Sequence, residues 1–427
     1  MDLVVGPGPL QGGVRAPSSK SVAHRALVCA AASSAPTFVE CTDTSQDIDA
    51  TARCLAALGA SVEAVPGRGF SVSPVPDAVT GPVTLDCGES GSTLRFMVPF
   101  AAALGADATF VGARRLLERP MAPLEDALAA HGVSVSRGDG RLHATGRLTP
   151  GTYAVPGDVS SQFVSGILMA SPLVGGPVSV DVSGPVASAP YIALTASVMA
   201  GFGRPVSAEG RAAGTVYAAD GTGRLVAPGG TVEVEGDWSN AAFWLVAGAL
   251  GSEVAVTGVD RTSAQGDRAV TAALALLGAS VSQGARWASA SVGEPRAATL
   301  DVEQTPDLVP PLAVAAALAP GTSRITGTAR LRIKESDRVA TVAACLRAVG
   351  ADVSVEGDDI LVHGGAPLPG GAVDAANDHR IAMMAAVAAT RCEGPVTIRG
   401  AECVAKSYPR FFDDYAALGG TVREVRP

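Results

Sequence analysis

Leu58-Gly59-Ala60-Ser61-Val62 returns twice along the chain, as Leu277-Gly278-Ala279-Ser280-Val281 and as Val349-Gly350-Ala351-Asp352-Val353. Looser copies stand at His131-Gly132-Val133, Phe202-Gly203 and Leu418-Gly419-Gly420-Thr421-Val422. The central glycines, at 59, 132, 203, 278, 350 and 419, lie 69 to 75 residues apart, so six units of about 71 residues account for all 427. A period of that size predicts an array of small supersecondary modules rather than one continuous core.

Working outward, each glycine closes a helical pattern, as at 47–58, 123–130, 267–277 and 337–349. An acidic residue near the start and Gly just past the end are the expected cap chemistry. The segments that follow, such as 61–65 and 280–282, are short, β-rich and bounded by Gly or Pro, and are predicted strands. A second helix recurs at the same period, starting near Ser19, Ser92, Ser161, Ser239, Pro306 and Asp378. Its bodies are apolar nearly all round, so it must be buried. The expected fold is α/β, with two similar domains of three βαβαββ repeats around buried helices, an inverse α/β barrel-like arrangement. Domain boundaries are expected at 1–13 plus 234–427 and at 14–233, with hinges near residues 13 and 233.

Composition narrows the function. With 47% hydrophobic and 17% charged residues, the chain can fill two cores, which excludes wholesale disorder. A net charge of −9 argues against a nucleic-acid partner held on a broad basic face. No apolar run reaches the roughly 18 residues of a membrane span. The start Met1-Asp2-Leu3-Val4-Val5 lacks the pattern of a secretory signal. Seven scattered cysteines form no CxxC or metal spacing, which predicts free thiols, no metal and a cytoplasmic location.

Of 32 basic residues, 29 are Arg and only Lys20, Lys334 and Lys406 are Lys. All three stand in polar turns or at helix starts. So do Ser18-Ser19-Lys20-Ser21 with Arg25 one turn on, Gly91-Ser92-Thr93, Ser160-Ser161-Gln162, Thr305-Pro306-Asp307, Lys334-Glu335-Ser336-Asp337-Arg338 and Asn377-Asp378-His379-Arg380. Taken singly, the Ser and Asp residues are ordinary caps, and mixed charge runs are usually solvated. Capping does not ask for Lys, Arg, Gln or His. Helix N-termini carry free N–H groups and partial positive charge, so cation-bearing ends predict the wall of an anion cleft. A carboxylate held among cations can exchange protons with a substrate. Arg114-Arg115 with Glu118-Arg119-Pro120 is a dense cationic turn, from which one arginine could clamp a carboxylate or phosphate. No GxSxG elbow, phosphate-loop or dinucleotide fingerprint appears, which predicts an enzyme without cofactor acting on a polyanion.

These segments, together with Arg95, Met121, Ala189-Pro190-Tyr191, Ile381-Ala382-Met383 and Lys406-Ser407-Tyr408-Pro409, make the chain similar over essentially its whole length to the 3-phosphoshikimate 1-carboxyvinyltransferase family of the shikimate pathway. The resemblance implies a cytoplasmic, monomeric enzyme of aromatic amino-acid biosynthesis, using shikimate 3-phosphate and phosphoenolpyruvate and inhibited by glyphosate. It implies that Lys20 touches both substrates and that Ser21, Arg25, Ser160, Ser161, Gln162, Ser188, Tyr191, Asp307, Arg330 and Lys334 hold shikimate 3-phosphate. Phosphoenolpyruvate would be gripped by Gly91, Arg115, Gln162, Arg338, Arg380 and Lys406, with Glu335 and His379 beside it. Asp307, Glu335, Lys20 and His379 are the implied proton-transfer residues, and domain closure would exclude water. Two positions depart from the family pattern. Glu89 stands where many members have Asn, which bears on donor affinity and glyphosate sensitivity. Arg330 stands where many have a neutral residue, either as an extra cation for shikimate 3-phosphate or as a partner of Asp337. The related UDP-N-acetylglucosamine enolpyruvyl transferases carry a reactive Cys in the loop matching 111–120, where this chain has Arg114, Arg115 and no Cys. A non-enzymatic clamp-like ring would put its basic residues along amphipathic helices, not at the starts of apolar ones.

Overall fold

The computed structural model describes residues 1–219 and 223–425. The chain forms two compact units, Met1–Pro17 with Glu235–Pro427, and Ser18–Val234. They are called unit 1 and unit 2 below.

The repeat seen in the sequence is one small sheet plus two helices. In the second module of unit 2, strand Pro82–Asp86 leads through the helix Gly91–Ala103 to the parallel strand Asp107–Val111. A parallel neighbour requires such a crossover helix. The helix Ala122–Ala129 then feeds a hairpin, Val133–Gly138 and Arg141–Gly146, whose second strand pairs antiparallel with Asp107–Val111. Six four-stranded sheets among the described residues share this order, one parallel pair followed by two antiparallel ones.

Three modules are completed by strands from remote sequence. Gln11–Arg15 is the parallel partner of Glu253–Thr257 in unit 1, and Thr231–Glu233 is the parallel partner of Thr37–Glu40 in unit 2. Each of these strands is followed by a helix of the other unit, Lys20–Ala31 after the first and Trp238–Ala249 after the second. The two crossings are therefore a reciprocal exchange of equivalent connections. Pairing of Gln11–Arg15 places residues up to Pro17 in unit 1, whereas the sequence divides the chain at residue 13. Leu3–Val5 fills the hairpin position of the last module, between Val396–Arg399 and Val422–Glu424.

The crossover helices are the core. They are Lys20–Ala31, Gly91–Ala103 and Ser161–Ala170 in unit 2, and Trp238–Ala249, Val309–Leu318 and His379–Ala389 in unit 1. Within each unit the three pack against one another. Every residue of His379–Ala389 is buried, so such a helix has polar groups only where its N-terminus meets the loops.

The glycines that mark the repeat follow the second helix of each module at φ of +94°, +90°, +73°, +89°, +96° and +90°. This is backbone that side chains with a Cβ rarely adopt. Their surroundings differ. A Cβ on Gly278 would lie 1.9 Å from the Glu294 carbonyl oxygen, whereas one on Gly419 would meet nothing within 4 Å. Gly278→Ala should therefore cost about 3 kcal/mol or more and Gly419→Ala about 1 kcal/mol. Urea midpoints of the two variants check the ranking, and equal midpoints would contradict it.

Candidate active site

In unit 2 the starts of the buried helices carry the predicted polar residues, held by several groups of hydrogen bonds. Lys20 Nζ donates to Asp47 Oδ2 at 2.8 Å. The Thr93 hydroxyl reaches both the Asp47 carbonyl (3.4 Å) and Ser90 Oγ (2.8 Å). Ser90 in turn caps the helix that begins at Gly91. Arg25, 1% exposed, donates from Nη1 to the Ser21 carbonyl (2.7 Å), from Nε to Thr195 Oγ1 (2.7 Å) and from Nη2 to the Tyr191 carbonyl (3.2 Å). Its guanidinium lies over the rings of Phe96 and Tyr191, at 5.1 and 6.0 Å. Every acceptor around Arg25 among the described residues is neutral, so no carboxylate cancels its charge. Burial pulls this guanidinium down to about 10, which still leaves it charged at neutral pH.

Gln162 is held from both sides. Its Oε1 accepts from Arg95 Nη1 at 2.6 Å and its Nε2 donates to Ser92 Oγ at 2.8 Å. Ser160 caps the same helix, and Ser161 is buried at its first position. Ser188 precedes the helix Ala189–Gly201 with φ +56°, a left-handed residue other than Gly at a helix start. This helix packs on both Lys20–Ala31 and Ser161–Ala170, which brings Ser188 and Tyr191 into the same unit of structure.

Arg115 is exposed on the short helix Arg114–Leu117, and Arg114 pairs with Glu118 at 2.7 Å. Arg119 is the arginine that approaches Gly91, its Nη1 lying 2.6 Å from where a Cβ on that glycine would be.

Unit 1 gathers its residues around Arg338. This guanidinium, 1% exposed, donates to Asp307 Oδ1 (2.8 Å), Glu335 Oε2 (2.6 Å) and Asp378 Oδ2 (3.0 Å). Asp307 also accepts from Arg380 Nη2 at 3.1 Å, with Lys334 Nζ 3.9 Å away. Burial pushes the Asp307 carboxyl up, but Arg380, Lys334 and Arg338 together hold it well below the usual carboxylate range. Burial lowers the Lys334 ammonium, with Asp307 and Glu335 opposing the change. Asp378 caps the helix of His379 and Arg380 through the Arg380 N–H and accepts from Ser336 Oγ. His379 is buried, with Nδ1 3.9 Å from Asp378 Oδ1. Lys406 Nζ donates to the Asn377 carbonyl at 2.6 Å, and Ala376 and Asn377 both adopt left-handed backbone at φ +50° and +54°. Strain of this kind collects at functional turns.

Arg330 donates to the Glu303 carbonyl at 2.6 Å, while Arg332 is the arginine beside Asp337, at 3.4 Å. The pairing of Arg330 with Asp337 is thereby corrected. Two acids read in the sequence only as helix-start residues also belong here: Asp47, which holds Lys20, and Asp267, described below. All seven cysteines are buried and free. Burial pushes the thiols of Cys29, Cys345 and Cys403 up to about 12.

Three modules in each unit, with cations at helix starts in both, describe a repeated α/β protein suited to anions, and the comparisons with known proteins agree. The family model for EPSP synthase (3-phosphoshikimate 1-carboxyvinyltransferase) matches residues 4–415. Curated 3-phosphoshikimate 1-carboxyvinyltransferases of Clostridium kluyveri and Clostridium acetobutylicum are 38% and 36% identical, each alignment covering 98% of both chains. A solved EPSP synthase from Acinetobacter baumannii superposes with a TM-score of 0.81 at 28% identity, over 99% of this chain and all of that one. The enolpyruvyl transferase NikO of Streptomyces tendae, 20% identical with a TM-score of 0.77, covers all of this chain and 99% of its own and shares the fold. The chain belongs to the EPSP synthase family. This sets aside the clamp-like ring and the UDP-N-acetylglucosamine enzyme.

Behind Lys20 and Arg25 lies a fully buried imidazole. His24 Nδ1 shares a hydrogen bond with Thr51 Oγ1 (2.7 Å), which bonds Thr93 Oγ1 (2.7 Å), while Nε2 has no partner among the described residues. Burial, then the charges of Lys20 and Arg25, hold His24 well below its usual range. The folded chain thus binds fewer protons here than the unfolded chain. The contribution to stability is complete above about pH 6.5 and is lost at about 1.4 kcal/mol per pH unit as pH falls below it. Urea midpoints at pH 5 and pH 7 should show this acid loss in the natural chain and a reduced one in His24→Asn; identical losses would rule His24 out.

Proposed function

We propose that the chain transfers the carboxyvinyl group of phosphoenolpyruvate to the 5-hydroxyl of shikimate 3-phosphate, giving 5-enolpyruvylshikimate 3-phosphate and phosphate. The observation that carries this reading is the pair of contrasting arginines. Arg25 has only neutral acceptors, as a residue awaiting a phosphate should, and Arg338 sits among three carboxylates, as a residue controlling proton acceptors should. Shikimate 3-phosphate is assigned to Lys20, Ser21, Arg25, Ser160, Ser161, Gln162, Ser188 and Tyr191, with Asp307 and Lys334 for its ring hydroxyls and Arg330 as a further cation. The donor's anionic groups are assigned to Arg115, Arg338, Arg380 and Lys406, with Gly91 at a helix start that Arg119 also approaches.

Asp307 accepts the proton of the 5-hydroxyl, whose oxygen attacks C2 of phosphoenolpyruvate while the methylene carbon is protonated from Glu335 or Lys20. The tetrahedral adduct then expels phosphate as a methyl proton leaves. A carboxylate pinned under three cations is a poor base. An anionic donor drawing Arg338 and Arg380 onto itself relieves that grip and raises the basicity of Asp307, so proton abstraction becomes efficient only with donor in place. Oriented donors and helix ends offset the repulsion between two anionic substrates without reorganising. The enzyme is proposed to act as a monomer in the cytoplasm, where buried free thiols stay reduced.

The test is phosphate release from phosphoenolpyruvate on adding shikimate 3-phosphate, UDP-N-acetylglucosamine or neither, with release expected in the first arm alone. Lys20→Ala should leave the circular dichroism spectrum unchanged and lower kcat about 10²- to 10⁴-fold. Near-normal turnover would refute its assignment. Arg115→Ala should raise the KM for phosphoenolpyruvate about 10- to 100-fold; an unchanged KM would remove Arg115 from the donor's binding groups.

A further inference from the structure

We propose that Asp267 is a positioning residue for Arg380, a buried carboxyl that is protonated while the donor binds and whose ionisation turns Arg380 away from the donor. The proposal rests on the assignment of Arg380 to phosphoenolpyruvate made above.

Asp267 lies in the turn Gly266–Ala269 and is 3% exposed. Its Oδ2 accepts from the Ser239 hydroxyl, and its Oδ1 is buried with no hydrogen-bond partner among the described residues. The turn cannot swing away. Gln265 Oε1 accepts from the Trp238 N–H at 3.0 Å, and Gln265 Nε2 donates to the Gly236 carbonyl at 2.8 Å. These bonds clamp it to the start of the helix Trp238–Ala249, which also packs on the turn Pro306–Leu308 that carries Asp307.

The charged groups that act on Asp267 are Asp307, Arg380 and Asp237, and Asp307 itself accepts from Arg380 Nη2 at 3.1 Å. Two carboxylates and one guanidinium make an unfavourable surrounding for a further negative charge, before any substrate anion arrives. The wider cluster gives the same balance, with the acids Asp237, Asp267, Asp307, Glu335 and Asp378 against the cations Lys334, Arg338, Arg380 and Lys406. A neutral Asp267 leaves the cluster able to accept an anion. An ionised one sets a second carboxylate against Arg380, in competition with the donor. Burial and then Asp307 push this carboxyl up to about 7, with Arg380 and the Ser239 hydroxyl opposing. The switch therefore falls near neutral pH, in the manner of paired carboxyls driven apart by their surroundings.

Steady-state kinetics with phosphoenolpyruvate varied from pH 6 to pH 9 test this. In the natural enzyme the KM for the donor should rise above neutrality, approaching tenfold per pH unit, with kcat little affected. Asp267→Asn, which cannot ionise, should remove that rise. Ser239→Ala, which deletes the donor to the ionised form, should move the rise to higher pH. The proposal is overturned if the natural enzyme shows no such rise, if the Asp267→Asn profile keeps it, or, should that variant fail to fold, if Ser239→Ala leaves it in place. Absence of phosphate release from the natural chain at pH 6 would instead contradict the function itself.

Discussion

A guanidinium removed from water needs acceptors, and carboxylates removed from water need donors and an opposing charge; Arg338 joins both demands at one point. Asp307 comes from the turn before one buried helix, Asp378 from the cap of another, and Glu335 from the turn before Arg338's own helix. Removing one partner from such a set strands the others as uncompensated buried charges, at a cost of about 3–5 kcal/mol. The bonds to Arg338 therefore fix where three acids stand, and so where protons can be given and taken.

Unit 2 solves a different problem with the same parts. Arg25 is as deeply buried as Arg338, yet it is held by hydroxyl and carbonyl oxygens and by two aromatic faces. Hydrogen bonds to neutral acceptors satisfy its geometry without cancelling its charge. One repeat architecture thus yields a unit whose buried cation is neutralised by acids and a unit whose buried cation is not.

Much of this was legible in the sequence. The six glycines announce both the repeat and their own left-handed backbone, and an apolar helix with polar residues only at its start has few ways to pack. Proximity between distant segments was less legible. Arg115 and Arg119 are four residues apart in one cationic turn, and only the close approach to Gly91 separates them. Asp47 and Asp267 look like helix-start acids, but Ser45 is the cap of the first helix, which leaves Asp47 for Lys20. The strand Gln11–Arg15 pairs with residues some 240 positions away, at Glu253–Thr257, and no local pattern marks such an exchange.

The account stands or falls on Asp307 being a carboxylate restrained by cations that the donor can draw away. Carbon-13 carboxyl NMR, with Asp307→Asn to assign the resonance, measures this directly. In the free protein Asp307 should titrate well below the usual carboxylate range, and its midpoint should rise when phosphoenolpyruvate and shikimate 3-phosphate are added. An ordinary midpoint in the free protein, or one that both substrates leave unmoved, would contradict it.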